Sequence, residues 1–321
     1  MKRALICGIS GQDGAYLAQL LLDKGYDVAG TSRNVQSMDF GRLATLGIDG
    51  RVKLLSATLT DFRSILKALA EIQPDEVYNL SGQSSVGLSF DQPVETIESI
   101  TVSTINLLEA IRFLNPRIRF YNAGSSECFG DTGSMTADES TAFRPRSPYG
   151  VAKSAAHWIV RNYREAYGVF ACTGILFNHE SPLRPRQFVT QKIIAAAVAI
   201  KVGLLDKLEL GNLDITRDWG WAPEYVDAMW RMLQAEVPDD FVVATGEAHS
   251  LSDFVARAFA AVDLDWRDHV VVDPTTFRPL DIAYNCGDAS RAAAVLDWRA
   301  TLTMPAIVER MVAARLEQLS T

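Results

Sequence analysis

Apolar residues recur along the first half of the chain in two alternating registers. Short continuous runs, beginning with Ala4-Leu5-Ile6-Cys7, give way to stretches in which they return every three or four positions, as at Tyr16, Leu17, Leu20 and Leu21 between Gly14 and Lys24. The first pattern fits strands covered on both faces and the second fits amphipathic helices. The alternation predicts further strands at Asp27 to Thr31, Val52 to Ser56, Glu76 to Leu80, Ile118 to Ala123 and Phe170 to Phe177. Helical stretches at Asp61 to Ile72 and Val94 to Phe113, and a helix opened by Ser147-Pro148-Tyr149, fall between them. This is the rhythm of an α/β fold with a doubly wound parallel Rossmann sheet over residues 1–177. After Phe177 the rhythm loosens, and Pro182, Pro185, Gly203, Gly211 and Gly220 punctuate shorter elements. Helical patterns at Thr190 to Val202, Pro223 to Ala235, Leu251 to Ala261 and Met304 to Leu319 predict a smaller mixed α/β substrate region over 178–321. It is expected to cover the sheet's carboxyl edge, with some later segments returning to the first domain.

Composition narrows the class. The 321 residues are 48% hydrophobic and 22% charged, enough for one large core or two modest ones. A formal charge of −8 argues against nucleic acid or an anionic membrane as partner, and any anionic ligand needs local cations. Cys7, Cys128, Cys172 and Cys286 show neither CxxC pairing nor zinc-ligand spacing, so they read as buried thiols of a reducing compartment. His157 and His179 lack partners at metal-ligand spacing, and no metal is expected. With no signal-peptide pattern after Met1-Lys2-Arg3 and no membrane-length apolar run, the cytoplasm is the expected location.

Three stretches carry chemistry. Gly8-Ile9-Ser10-Gly11-Gln12-Asp13-Gly14 lies between a predicted strand and a predicted helix. Its GxxGxxG spacing suits a tight turn that presents amide N–H groups to a dinucleotide pyrophosphate. An NAD site usually adds a carboxylate at the end of the second strand, yet Gly30-Thr31-Ser32-Arg33 stands there. Arg33 favours the 2′-phosphate of NADP, although it also suits a solvated surface position. Tyr149 and Lys153 sit four residues apart, roughly 6 Å along a helix axis. The ammonium is expected to lower the phenol's pKa and make it a base near neutral pH. Alone, that spacing equally fits an ordinary amphipathic surface. Glu127, in Ala123-Gly124-Ser125-Ser126-Glu127, follows the end of a central strand, at the edge where such sheets bind ligands.

Together with Asn178-His179-Glu180-Ser181-Pro182, Phe188-Val189-Thr190, Leu210-Gly211-Asn212 and Arg217-Asp218-Trp219-Gly220, these stretches resemble the GDP-mannose 4,6-dehydratase family of the extended short-chain dehydrogenase/reductases. The resemblance runs from Ala4 to about Gly287. It implies a tightly held NADP, a GDP-mannose or related nucleotide-sugar substrate, and a homodimer or homotetramer. It implies Ser125, Glu127, Tyr149 and Lys153 as catalytic residues. The cofactor would lie against Gly8, Ser10, Gly11, Gln12, Asp13, Gly14, Arg33, Leu80, Tyr149 and Lys153. Ser85, Asn178, Arg184, Lys192, Arg217 and Arg278 would hold the substrate. The implied chemistry is oxidation at C4, loss of water across C5 and C6, and return of the hydride. Some positions depart from the family pattern: Arg33 is followed by Asn34 and Val35, Ala57-Thr58 replaces Gly-Asp, and Ser125 stands for threonine. Gly30 to Asn34, Gly124 to Glu127 and Phe188 to Gln191 also resemble GDP-4-keto-6-deoxymannose reductases. The alternatives are therefore such a reductase, a dehydratase or epimerase of another nucleotide sugar, and a non-catalytic NADP-binding regulator.

Overall fold

A computed structural model describes residues 1–276 and 279–320. Thirteen strands follow in chain order: β1 Arg3–Cys7, β2 Asp27–Ser32, β3 Lys53–Ser56, β4 Glu76–Asn79, β5 Arg119–Ala123, β6 Ala171–Leu176, β7 Asn178–Glu180, β8 Leu208–Leu210, β9 Thr216–Trp221, β10 Phe241–Val243, β11 Ala248–Ser250, β12 Val270–Val272 and β13 Tyr284–Asn285. Seven of them form one parallel sheet in the order β10-β6-β5-β4-β1-β2-β3. The winding reverses between β1 and β4, and the crevice at such a switch point is where open α/β sheets take their ligands.

Side-chain alternation along each strand divides the packing between two faces. Ala4, Ile6, Tyr78 and Tyr121 join helices Gln12–Asp23 and Ala222–Gln234 on one face. On the other, Leu5, Cys7, Val77 and Phe120 meet helices Phe62–Ile72, Ser103–Leu114 and Pro148–Tyr167. The run expected as one helix from Val94 to Phe113 is broken by a wider turn at Glu98–Val102, between Pro93–Ile97 and Ser103–Leu114.

A separate core gathers helices Val189–Lys201, Leu251–Ala260 and Met304–Ser320 around Leu208, Leu210 and Trp219. β9 is the hub of a small sheet there, pairing with β7, β11 and β13. Helix Ala222–Gln234, expected in the cap, instead lies on the large sheet beside Gln12–Asp23, because its Tyr225, Met229 and Leu233 stripe is buried in that core. β10 likewise returns to pair with β6 at the sheet edge. Among the described residues, no helix is long and apolar enough to cross a membrane.

Candidate active site

The first wall of the site is the turn after β1. Gly8 has φ +88°, and a Cβ there would stand 2.8 Å from the Leu80 carbonyl oxygen, so only glycine lets the turn cross the end of β4. Gly11 N–H donates to the Gly8 carbonyl at 3.1 Å and starts helix Gln12–Asp23 without a capping side chain. The first amides of that helix therefore have no side-chain acceptor from Gly11. At the end of β2, the buried Ser32 hydroxyl has no hydrogen-bond partner among the described residues. Arg33 follows, 79% exposed, with Nη1 3.6 Å from Glu95. A turn without a Cβ, uncapped helix amides, an unpartnered hydroxyl and a neighbouring guanidinium fit a dinucleotide.

Gln12 and Asp13 use their side chains differently from the loop's backbone. Gln12 Nε2 donates to the His179 carbonyl at 3.2 Å and to Asp13 Oδ1 at 3.0 Å. Asp13 Oδ2 lies 2.9 Å from His179 Nε2. Arg42, which no motif singled out, donates to the Ser10 carbonyl at 3.0 Å and to the Leu183 carbonyl at 2.8 Å. The glycine loop is thus tied to β7 and the turn after it.

The second wall is built by the end of β5 and the start of helix Pro148–Tyr167. Ser147 caps that helix by accepting from Gly150 N–H at 3.0 Å, and Pro148 occupies its first turn. Gly150 is required by contact: a Cβ there would fall 2.9 Å from the Glu127 carbonyl oxygen. Ser125 Oγ accepts from Glu127 N–H at 3.3 Å, closing the short turn Ser126–Cys128. The Ser125 hydroxyl and the Glu127 carboxylate both lie near enough to the Tyr149 phenol to bear on its ionisation. The buried Lys153 ammonium donates to the Ala123 carbonyl at 2.7 Å and stands 5.7 Å from the Tyr149 ring centre. Ser125, Glu127, Tyr149 and Lys153 thus meet at one point.

The ionisation differs from the sequence expectation. Burial pushes the Tyr149 phenol up, and Glu127 pushes it further; Ser125 and Arg184 oppose them. Burial also pulls Lys153 down to about 8. Desolvation of both groups outweighs the effect of their helical spacing.

The expected substrate residues are more dispersed. Asn178 opens β7 opposite Trp219 of β9, the strand that carries the buried Arg217. Arg217 Nη1 donates to the Thr216 carbonyl at 2.9 Å, and Nη2 is 3.5 Å from Asp281. Lys192 donates to the Glu209 carbonyl at 2.6 Å. Arg184 lies 3.5 Å from Glu180 and 3.8 Å over the Phe188 ring, and its charge reaches Asp13, His179 and Tyr149, so it stands between the two walls. Ser85 caps helix Val86–Asp91 by accepting from Leu88 N–H at 3.2 Å. Arg278 lies outside the described residues.

The GDP-mannose 4,6 dehydratase family model matches residues 5–311. The chain belongs to this family. It is 47% identical over 326 residues to GDP-mannose 4,6 dehydratase 1 of Arabidopsis thaliana, covering 98% of this chain and 90% of that one. With the Homo sapiens GDP-mannose 4,6 dehydratase it shares 43% identity, over 99% of this chain and 92% of the other. Solved structures support the fold. DesIV, a dTDP-glucose 4,6-dehydratase from Streptomyces venezuelae with NAD and TYD bound, superposes with a TM-score of 0.87 at 18% identity, covering 99% of this chain and 98% of that one. RMD from Pseudomonas aeruginosa, complexed with NADPH, gives 0.82 at 20% identity, covering 99% and 100%. Membership in the GDP-mannose 4,6-dehydratase family accounts for the joint presence of the glycine loop and the Ser125, Glu127, Tyr149, Lys153 cluster.

Proposed function

We propose that the protein removes one water from GDP-mannose to give GDP-4-keto-6-deoxymannose, with NADP as its resident cofactor. The convergence of Ser125, Glu127, Tyr149 and Lys153 at the carboxyl end of β5, in a chain of this family, carries the reading. NADP is supported by Ser32 and Arg33 where an NAD site would place a carboxylate. The turn amides from Gly8 through Gly14 would hold the pyrophosphate, Arg33 the 2′-phosphate, and Leu80 would line the site. When bound, the nicotinamide supplies a hydride acceptor and later a hydride donor, with none consumed overall.

In its phenolate form, which burial disfavours and a nearby positive charge must sustain, Tyr149 takes the proton of the O4 hydroxyl while Ser125 holds that oxygen. Lys153, fixed on the Ala123 carbonyl, offers the positive charge that a phenolate needs. Once C4 is a ketone, the C5 proton is acidic. Glu127 removes it and passes that proton to the C6 hydroxyl, which leaves as water; C6 then receives the hydride first lost from C4, and C5 the proton that Tyr149 took from O4. Asn178, Arg184, Lys192, Arg217 and Arg278, all within residues 178–321, supply amide and guanidinium or ammonium groups for the diphosphate. A homodimer or homotetramer is the assembly that the family resemblance supports. Four buried free thiols, Cys7, Cys128, Cys172 and Cys286, support a cytoplasmic setting.

Purified protein incubated with GDP-mannose and NADP+ should yield a product lighter by one water in mass spectrometry. Unchanged GDP-mannose, with conversion instead of a 4-keto-6-deoxy sugar at the expense of NADPH, would make the protein a reductase.

A further inference from the structure

Three buried polar residues, Gln12, Ser181 and Gln191, link the glycine loop to helix Val189–Lys201 in a single thread. Ser181 Oγ donates to Gln12 Oε1 at 2.7 Å, and the Ser181 carbonyl accepts from Gln191 Nε2 at 2.9 Å. Gln12, Ser181 and Gln191 are 4%, 0% and 9% exposed. One end of the thread lies in the glycine loop. The other lies in helix Val189–Lys201, one residue before Lys192. A second thread runs beside it: Gln12 Nε2 donates to the His179 carbonyl, and His179 lies in β7, which pairs with the strand of Arg217.

We infer that Gln12 and Gln191 are positioning residues that couple two ligand sites, so that a dinucleotide at the glycine loop and a nucleoside diphosphate at Asn178, Lys192 and Arg217 each favour the other's binding. The inference rests on the function proposed above. Breaking either link strands a buried amide or hydroxyl, which costs more than the bond itself contributes when made. The loop and the helix therefore shift together. A ligand that fixes one end has already ordered the other, so the second ligand binds without that ordering cost. Linkage makes the effect equal in both directions.

The test is a pair of titrations on the full chain. NADPH binding is followed by nicotinamide fluorescence with and without saturating GDP, and GDP binding by calorimetry with and without NADPH. Each ligand should tighten the other by about fivefold or more, and by the same factor in both directions. Gln191→Met leaves the glycine loop untouched, so the affinity for NADPH alone should stay near the wild-type value while the coupling factor falls, the second thread through His179 remaining. Gln12→Met should abolish the coupling from the other end, with the thermal midpoint reporting on folding. Side chains that merely support the fold would lower the midpoint and both affinities but leave the factor intact. The coupling is overturned if both ligands bind the wild type independently, or if the factor is undiminished in Gln191→Met or survives in Gln12→Met, which cuts both threads. Failure of GDP to bind at all would overturn the nucleotide-sugar reading, and the coupling with it.

Discussion

His179 is held at both ring nitrogens, with Nε2 2.9 Å from Asp13 Oδ2 and Nδ1 2.7 Å from the Phe177 carbonyl oxygen. Two acceptors call for two N–H donors, which only the imidazolium offers. Burial works against both charges, yet the pairing prevails: His179 is raised above its usual pKa and Asp13 is lowered to about 2. Each partner is also flanked by Arg184, which favours the carboxylate and opposes the imidazolium.

The pair should stabilise the fold within a defined pH window. The Asp13 contribution is present above about pH 3.9, the unfolded value, and is lost as pH falls toward 2. The His179 contribution is full below about pH 6.5 and is lost as pH rises through the raised folded value. Asp13→Asn should therefore cost about 3 kcal/mol in urea unfolding at pH 6 and clearly less at pH 9. A cost that does not change with pH would mean that no ion pair forms.

Tyr149→Phe should reduce turnover by about 100-fold or more, while the affinity for GDP-mannose stays near that of the wild type. The phenol acts in proton transfer more than in ground-state binding. Steady-state kinetics beside calorimetry decide this, and near-normal turnover would remove Tyr149 from the mechanism.

Lys153 is buried and pulled down to about 8. Its positive charge is present below that pH and is lost as pH rises through it. The kcat profile should accordingly fall on the alkaline side with an apparent pKa near 8. A profile flat to pH 10 would show that the charge is not needed.

Glu127→Gln should separate oxidation from dehydration, because an amide can neither accept the C5 proton nor deliver one to the C6 hydroxyl. In single-turnover mixing, NADPH absorbance should build up with little deoxy-ketosugar released. A variant that releases product at the wild-type rate would take Glu127 out of the elimination step.

Arg33→Ala should lower the preference for NADPH over NADH by about tenfold, the worth of one charge-assisted hydrogen bond. Glu95, 3.6 Å from the guanidinium, competes for it, so Glu95→Gln should shift the preference the opposite way. Fluorescence titration with both cofactors checks each direction.

The sheet and the glycine turn were legible because both depend on local pattern, whereas the set Ser125, Glu127, Tyr149 and Lys153, on two separate stretches, came from the family resemblance. Strand runs, a glycine turn and helical spacing all lie within a few residues of chain. What escaped depends on contacts between distant segments. The Asp13–His179 pair escaped because its members lie 166 positions apart. Arg42 grips two carbonyls and so leaves no side-chain motif to find. The ionisation of Tyr149 was misjudged because helical spacing reveals the neighbouring charge but not the burial. β7, β8 and β11 are each three residues long, too short for an alternation to emerge.

The return of β10 to the edge of β6 bears on how the chain matures on the ribosome. Leu176 must wait for Val243 before that side of the sheet is closed. At about 5–20 residues per second of synthesis, the open edge of β6 is presented for some seconds while the intervening segment emerges. During that interval its free backbone groups invite pairing with another nascent chain. Slowing translation between the two strands should raise the aggregated fraction without altering the native protein, and a fragment ending at residue 177 should precipitate.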